Sequence, residues 1–350
     1  MIRNIAIIGA GNISKRHIKA AAKVPGISLV AVCNRSQERA KARAEEFGIP
    51  KYCTDYREIL ADPSIDAVII ATPTDSHAGI VADALKAGKH VLCEKPPALK
   101  WQDAQENEQI AKEAGKVLMY GFVCRFDKNN MFLKEYIDSG NLGDIYYAEA
   151  ERTARCVGIG GWFRDKNIAG GGMLMDAAIH QLDLLLYFMG YPEVVSVKGY
   201  TSNVNKDLPD RIKDPKKGYE AADNAQIPRT VESFACGHIQ LEGGKCIRIK
   251  AAHIANTLNP GTRFELLGDK GGAAFAGGIR LLSIDENDCF AETQPEISGG
   301  GPDFAAQLQH FVDCCRGTAE CICKPHEGTQ IVKILNAIYE SAETGKEIVF

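Results

Sequence analysis

The stretch Asn4-Ile5-Ala6-Ile7-Ile8-Gly9-Ala10-Gly11-Asn12-Ile13-Ser14-Lys15-Arg16-His17-Ile18 decides how this chain reads. A continuous apolar run ends in glycine, and after a short glycine-bearing turn the apolar positions recur at helical spacing. A lone G-x-G-x-x-small match carries little information, but one between a strand and a helix carries much more. Gly9 allows the tight turn. Gly11 carries no side chain, so an anionic group can approach its backbone, and the helix that follows offers its free N–H groups to that anion. This is the layout that holds the pyrophosphate of a dinucleotide. Gly9, Gly11, Asn12, Ile13 and Ser14 are expected there, with Ser14 in place of the third glycine and small enough for helix and strand to pack.

Outward from that turn the pattern repeats. Strand-like runs at 28–33, 66–71, 90–93 and 117–120 alternate with helical segments at 36–47, 55–60, 77–87 and 101–114. Ser36 is placed to cap a helix, and Gly48, Gly88 and Gly115 to stop one. Apolar strands alternating with helices imply a parallel sheet covered on both faces. The texture changes near residue 125. A helix is expected at 129–139, strands at 145–152, 194–200, 231–241, 245–252 and 263–267, and an irregular loop at 202–226. Glu242-Gly243-Gly244 reads as a hairpin turn. Helices follow at 304–315 and 328–343, and a last strand at 347–350. The expected fold is α/β, a doubly wound Rossmann domain over 1–124 followed by an α+β domain over 125–350. That second domain has a large, mainly antiparallel open sheet for substrate binding and oligomerisation, and the C-terminal helices pack back on the first domain.

The chain has 350 residues, 45% hydrophobic and 25% charged, with a formal net charge of −4. That charge argues against nucleic acid as the main partner, because phosphate binding wants a basic surface. No apolar run approaches the roughly 20 residues of a membrane span. No targeting segment is expected, and residence in the cytoplasm is the expectation. Twelve cysteines are scattered, several within strands, and read as small buried hydrophobes. The one cluster is Cys314, Cys315, Cys321 and Cys323, with His326 nearby. It lacks paired C-x-x-C spacing, so no metal is expected.

The second strand ends in Cys33-Asn34-Arg35-Ser36, without the acid that an NAD site uses for the ribose hydroxyl. Arg35 can pair with a 2′-phosphate and Ser36 can hydrogen-bond it, so the reading leans to NADP; the alternative is that Arg35 stacks or faces solvent and NAD binds as well. Thr72, Pro73 and His77 follow the 66–71 strand and are candidates to line the dinucleotide. Glu94 and Lys95 follow the 90–93 strand, with Pro96 and Pro97 fixing the local backbone. The Lys95 ammonium is placed to hold a substrate oxygen, although an isolated lysine is more often a solvated charge. In Gly170-Gly171-Gly172-Met173-Leu174-Met175-Asp176-Ala177-Ala178-Ile179-His180, Asp176 and His180 are spaced to share one helix face. Histidine titrates in the range that proton abstraction needs; the alternative is a buried structural histidine.

Taken together, Gly9-Ala10-Gly11, Thr72-Pro73 with His77, Glu94-Lys95-Pro96, Trp162-Phe163, the three glycines leading to Asp176 and His180, and Ser341-Ala342-Glu343-Thr344-Gly345-Lys346 carry a resemblance. The chain resembles the glucose–fructose oxidoreductase, inositol dehydrogenase and MocA family. That resemblance implies an oxidoreductase acting on a sugar, polyol or inositol-like substrate with NAD(P), with Lys95, Asp176 and His180 as the catalytic set. It implies that Arg125 faces substrate, and that one face of the open sheet closes the active site while the other mediates a homodimer or homotetramer. Trp162 either stacks on a sugar or packs the core. Two alternatives come with it: an NAD-dependent glycosidase with transient redox, and a non-catalytic NAD(P)-binding sensor.

Overall fold

The computed structural model describes residues 2–205, 207, 208, 216, 217 and 227–350, so most of the loop expected at 202–226 lies outside the described residues. The chain forms two compact units: residues 1–123 with 303–332, and residues 124–302 with 333–350.

The first unit is built on β1 (Asn4–Ile8), β2 (Ser28–Cys33), β3 (Lys51–Cys53), β4 (Ala67–Ile70), β5 (His90–Cys93) and β6 (Leu118–Tyr120). All neighbours pair in parallel, in the order β3-β2-β1-β4-β5-β6. The order reverses between β1 and β4, which opens the crevice where such sheets take ligands. Ile5, Ile7, Val68, Ile69 and Ile70 are fully buried, because helices cover both faces. Helix α1 (Asn12–Ala21) buries Ser14, His17, Ile18 and Ala21, the i, i+3, i+4, i+7 stripe of an amphipathic helix. Helix α2 (Gln37–Phe47) starts as expected, with the Ser36 hydroxyl accepting from the Arg39 amide, and stops at Gly48 in the left-handed region. The helix Phe304–Cys315 belongs to this unit and packs on α1.

The second unit carries β7 (Ile145–Thr153), β8 (Val157–Gly158), β9 (Val194–Ser202), β10 (Lys216–Lys217), β11 (Phe234–Leu241), β12 (Cys246–Ala252), β13 (Gly261–Gly268), β14 (Gly272–Phe275), β15 (Ile279–Ile284), β16 (Phe290–Thr293) and β17 (Ile348–Val349). Nine of them form one sheet in the order β16-β15-β14-β13-β7-β12-β11-β9-β17, antiparallel except where β7 meets β12. The apolar helix Ile179–Phe188 covers the inner face at β7. The other face alternates charge: Glu149, Glu151, Arg248, Lys250 and Arg263 pair across strands.

The fold class stands as expected. Several segments differ, the two-residue strands β8 and β10 among them. β3 and β14 to β16 are missing from the sequence reading, because short, polar or glycine-rich strands at a sheet edge owe their state to their neighbours, not to a local pattern. The strand expected from 231 begins at Phe234, and the helix expected from 328 begins at Pro325. The segment leading to His180 is not a plain α-helix: Leu174–Ala178 is a turn of π-helix feeding the α-helix Ile179–Phe188.

Candidate active site

In the first unit the glycine turn has the expected form. Gly9 sits at φ +112°, and a Cβ there would lie 2.3 Å from the Ala71 carbonyl oxygen at the end of β4, so no other residue fits. Gly11 is the N-cap of α1, and a Cβ on it would meet nothing within 4 Å. An open approach to a helix N-terminus suits a pyrophosphate, so the turn fits a dinucleotide. Ser14 does not reach out to it: its hydroxyl is buried and donates to the Gly11 carbonyl at 2.7 Å. The sequence reading missed Arg43. From α2 its guanidinium donates to the carbonyls of Ala10 at 2.9 Å and Gly11 at 3.2 Å, and to Glu46 at 2.7 Å. It ties down the turn's carbonyl side. Asn34 is spent the same way, accepting from the Ala10 amide and donating to the Ser36 carbonyl, both at 3.3 Å. Arg35 beside it is exposed.

Beyond β4 and β5, the expected ligand-lining residues divide. His77 is buried and lies between two carbonyls, Nδ1 2.7 Å from that of Pro96 and Nε2 2.9 Å from that of Thr72. Burial holds its pKa down, and the neutral ring donates to one carbonyl at a time. It joins the two loops that follow β4 and β5. Glu94 is also buried: Oε1 meets His17 Nε2 at 2.7 Å and Oε2 accepts the Lys95 amide at 3.2 Å. It fastens the Lys95 loop to α1. Thr72 and Pro73 are partly exposed, and the Thr72 hydroxyl accepts from Ser76 at 2.8 Å. Among residues 91–98 only Lys95 is not buried. The Lys95-Pro96 peptide is cis.

In the second unit a parallel selection occurs. Among residues 171–180 only Asp176 and His180 are not buried. The π-turn replaces the simple i, i+4 face, as such turns often do at functional sites. Two residues missed by the sequence reading hold this segment. Glu232 is buried, accepts the Gly172 amide at 2.7 Å and takes the Tyr339 hydroxyl at 3.1 Å. Burial raises its pKa. A Cβ on Gly171 would meet Tyr339 Oη at 2.0 Å, and one on Gly172 the Glu232 carbonyl oxygen at 2.5 Å, so both glycines exist for close approach. His253, just past β12, is a third missed residue. Burial pushes its pKa down to about 4, with Arg229 and Arg152 lowering it further and Asp176 opposing. Trp162 is partly buried and stacks on Phe163 at 3.8 Å.

Arg125, which the resemblance places toward substrate, is held in an ion pair inside the second unit. It is 1% exposed. Its Nε donates to both Asp183 oxygens at 3.2 and 3.0 Å, and its terminal nitrogen donates to Asp183 at 2.5 Å and to Tyr191 at 2.6 Å. The guanidinium also lies 4.5 Å over the Tyr187 ring. Asp183 is a buried counter-ion to Arg125, and the pair braces the helix that carries His180.

Outside these regions, a concavity of about 750 Å³ in the second unit, lined by Asp127, Phe275, Gln294 and Glu296 among others, includes none of the expected site residues. The cysteine cluster also departs from expectation: its histidine is His310, at 3.4 Å from Cys314 Sγ, while His326 is exposed.

Comparison with known proteins agrees with this geometry. Residues 3–122 match the oxidoreductase family, NAD-binding Rossmann fold, and residues 134–350 match the oxidoreductase family, C-terminal alpha/beta domain. The chain belongs to this family, that of glucose–fructose oxidoreductase, inositol dehydrogenase and MocA, and is an oxidoreductase with a nicotinamide cofactor. It is 30% identical over 98% of its length and 96% of the relative to D-glucoside 3-dehydrogenase of Escherichia coli (strain K12). It is 29% identical over 89% of its length and 85% of the relative to scyllo-inositol 2-dehydrogenase (NAD(+)) of Bacillus subtilis (strain 168). The crystal structure of an oxidoreductase domain protein from Kribbella flavida shares the fold, with a TM-score of 0.86 at 24% identity over 100% of this chain and 99% of that one. No helix among the described residues is long and apolar enough to cross a membrane.

Proposed function

We propose that the protein transfers hydride between NAD(P) and a hydroxyl or carbonyl carbon of a sugar, polyol or inositol-like substrate, with Lys95, Asp176 and His180 as its catalytic residues. One observation carries this reading: in two otherwise buried runs, 91–98 and 171–180, these three residues alone are half-buried. The bound nicotinamide supplies the hydride acceptor or donor. The His180 imidazole takes the hydroxyl proton on oxidation and returns it on reduction. The Lys95 ammonium stabilises charge on the substrate oxygen, and the Asp176 carboxylate orients the hydroxyl by accepting from it. The relatives' names, a glucoside 3-dehydrogenase and an inositol 2-dehydrogenase, support a ring secondary alcohol as the reacting group. Residues 1–124 serve the cofactor and 125–350 the substrate and self-association. Trp162, partly exposed, offers a ring face to the sugar.

Lean toward NADP rests on exposed Arg35 and on the absence of an acid at 33–36. Self-association as a dimer or tetramer rests on the alternating charges of the nine-stranded sheet's outer face. Residence in the cytoplasm rests on twelve cysteines carried as free thiols. The test of the catalytic assignment is Lys95→Ala. It should leave reduced-nicotinamide binding, read by fluorescence, within about twofold and lower turnover by roughly 100-fold or more. Turnover near that of the parent removes Lys95 from the chemistry.

A further inference from the structure

The C-terminal part of the first unit places three soft ligand atoms together for which the oxidoreductase reading has no use. His310 and Cys314 stand one turn apart on the helix Phe304–Cys315, which Asp303 caps through the amides of Ala305 and Ala306. Cys321 returns from the loop that follows. The nitrogen of His310 and the sulfurs of Cys314 and Cys321 all lie within 4.8 Å of one another. His310 Nε2 and Cys314 Sγ are 3.4 Å apart. Tetrahedral zinc, with bonds of about 2.3 Å to sulfur and about 2.0 Å to nitrogen, puts such ligand atoms roughly 3.5–3.8 Å apart. The trio therefore needs to contract by no more than roughly 1.3 Å at its widest edge.

The surroundings suit a metal as well. The Ile322 amide donates to His310 Nε2 at 3.1 Å, which identifies Nε2 as the ring nitrogen that carries the lone pair. That is the atom a metal takes, and the ion replaces the amide as its partner. The Cys321 thiol donates to the Cys323 carbonyl at 3.2 Å, so its proton already points away from the trio. Cys314 is buried, while His310 and Cys321 are partly exposed, which leaves an entry path and a fourth position open to solvent.

We propose that His310, Cys314 and Cys321 bind one thiophilic divalent cation of the zinc class, as a structural clasp. The ion would join the end of the helix that packs on α1 to the loop before the helix Pro325–Thr344, closing a short loop around residues 315–320. Binding displaces the two thiol protons, so one M²⁺ enters as two H⁺ leave, and no oxidant or reductant is needed.

The test uses the full chain, stripped with chelator, kept under a phosphine reductant and titrated with Co²⁺. One equivalent should bind with tetrahedral ligand-field bands and a thiolate-to-cobalt charge-transfer band, and Zn²⁺ should displace it. Cys314→Ser should lose the charge-transfer intensity and weaken Zn²⁺ binding roughly 100-fold or more, since loss of outer partners alone costs 10–100-fold. Cys315→Ser, next along the chain but outside the trio, should bind as the parent does. Because a clasp variant can fail to fold, the parent is also alkylated with and without Zn²⁺: protection of Cys314 and Cys321 alone supports the site. A cobalt spectrum without a thiolate band overturns the proposal, as does equal binding by Cys314→Ser. So does a Cys314–Cys321 disulfide that, once reduced, yields thiols taking up no metal.

Discussion

Replacing Arg125 separates two accounts of that residue. In Arg125→Met the arginine stem is kept, but the charge that neutralises Asp183 is lost inside a helix pair where both side chains are fully buried. Removing one member of a buried ion pair costs about 3–5 kcal/mol, because the remaining charge is left without compensation. The Tyr191 hydroxyl donates to Asp183 at 2.7 Å and recovers part of this. Tyr191 itself sits at φ +55°, a conformation that a bulky residue holds only when its surroundings impose it, so its own position loosens as well. For a unit of roughly 200 residues, the loss translates into a fall of roughly 6–20 °C in the melting temperature. The assay is thermal and urea unfolding of Arg125→Met, Asp183→Leu and the double variant, with steady-state kinetics on each. The double variant should be less destabilised than the sum of the singles by more than about 1 kcal/mol, and KM should stay within a few-fold of the parent. An unmoved melting temperature with a KM raised tenfold or more would refute this account and return Arg125 to the substrate.

Other consequences follow from the same geometry. His253 has a folded-state pKa of about 4 against an ordinary value near 6.5. Between these values the unfolded chain binds the extra proton, so stability is full above about pH 6.5 and falls as pH drops toward 4, by about 2–3 kcal/mol at pH 4.5. The urea midpoint of the parent should fall more on acidification than that of His253→Leu; parallel curves count against a neutral buried ring. Gly172→Ala places a Cβ against the Glu232 backbone, and should cost about 1–3 kcal/mol and lower turnover more than it weakens nicotinamide binding, because it shifts the Asp176 segment and leaves the glycine turn alone. Wild-type turnover in that variant would show that the segment's position does not matter.

The fold was legible because two strong signals agree locally. Ile5 to Ile8 run unbroken into Gly9, and the strands at 67–70 and 90–93 are as apolar as burial on both faces requires. Lys95, Asp176 and His180, the residues of the proposed chemistry, stand out in the sequence by motif order, and each is half-buried. What was not legible is what fixes them in place. Arg43 reaches back 33 residues to Ala10, Glu232 reaches 60 to Gly172, and Tyr339 reaches 107 to Glu232. No window along the chain contains both ends of such a contact. The partner of Arg125 was hidden for the same reason: its carboxylate lies 58 residues away. His310 and Cys314 had a readable i, i+4 spacing, but the return of Cys321 from the loop is a tertiary event.

Formation of reduced nicotinamide, followed by absorbance, tests the central claim most directly. Purified protein is offered free sugars, inositols and sugar acids, with NAD⁺ and NADP⁺ side by side. The account predicts reduction with at least one ring polyol, faster with NADP⁺, and reversal of that preference in Arg35→Glu. No reduction with any member of the panel, by protein that still binds NADH or NADPH, would contradict it and favour a glycosidase with no net redox change or a non-catalytic sensor.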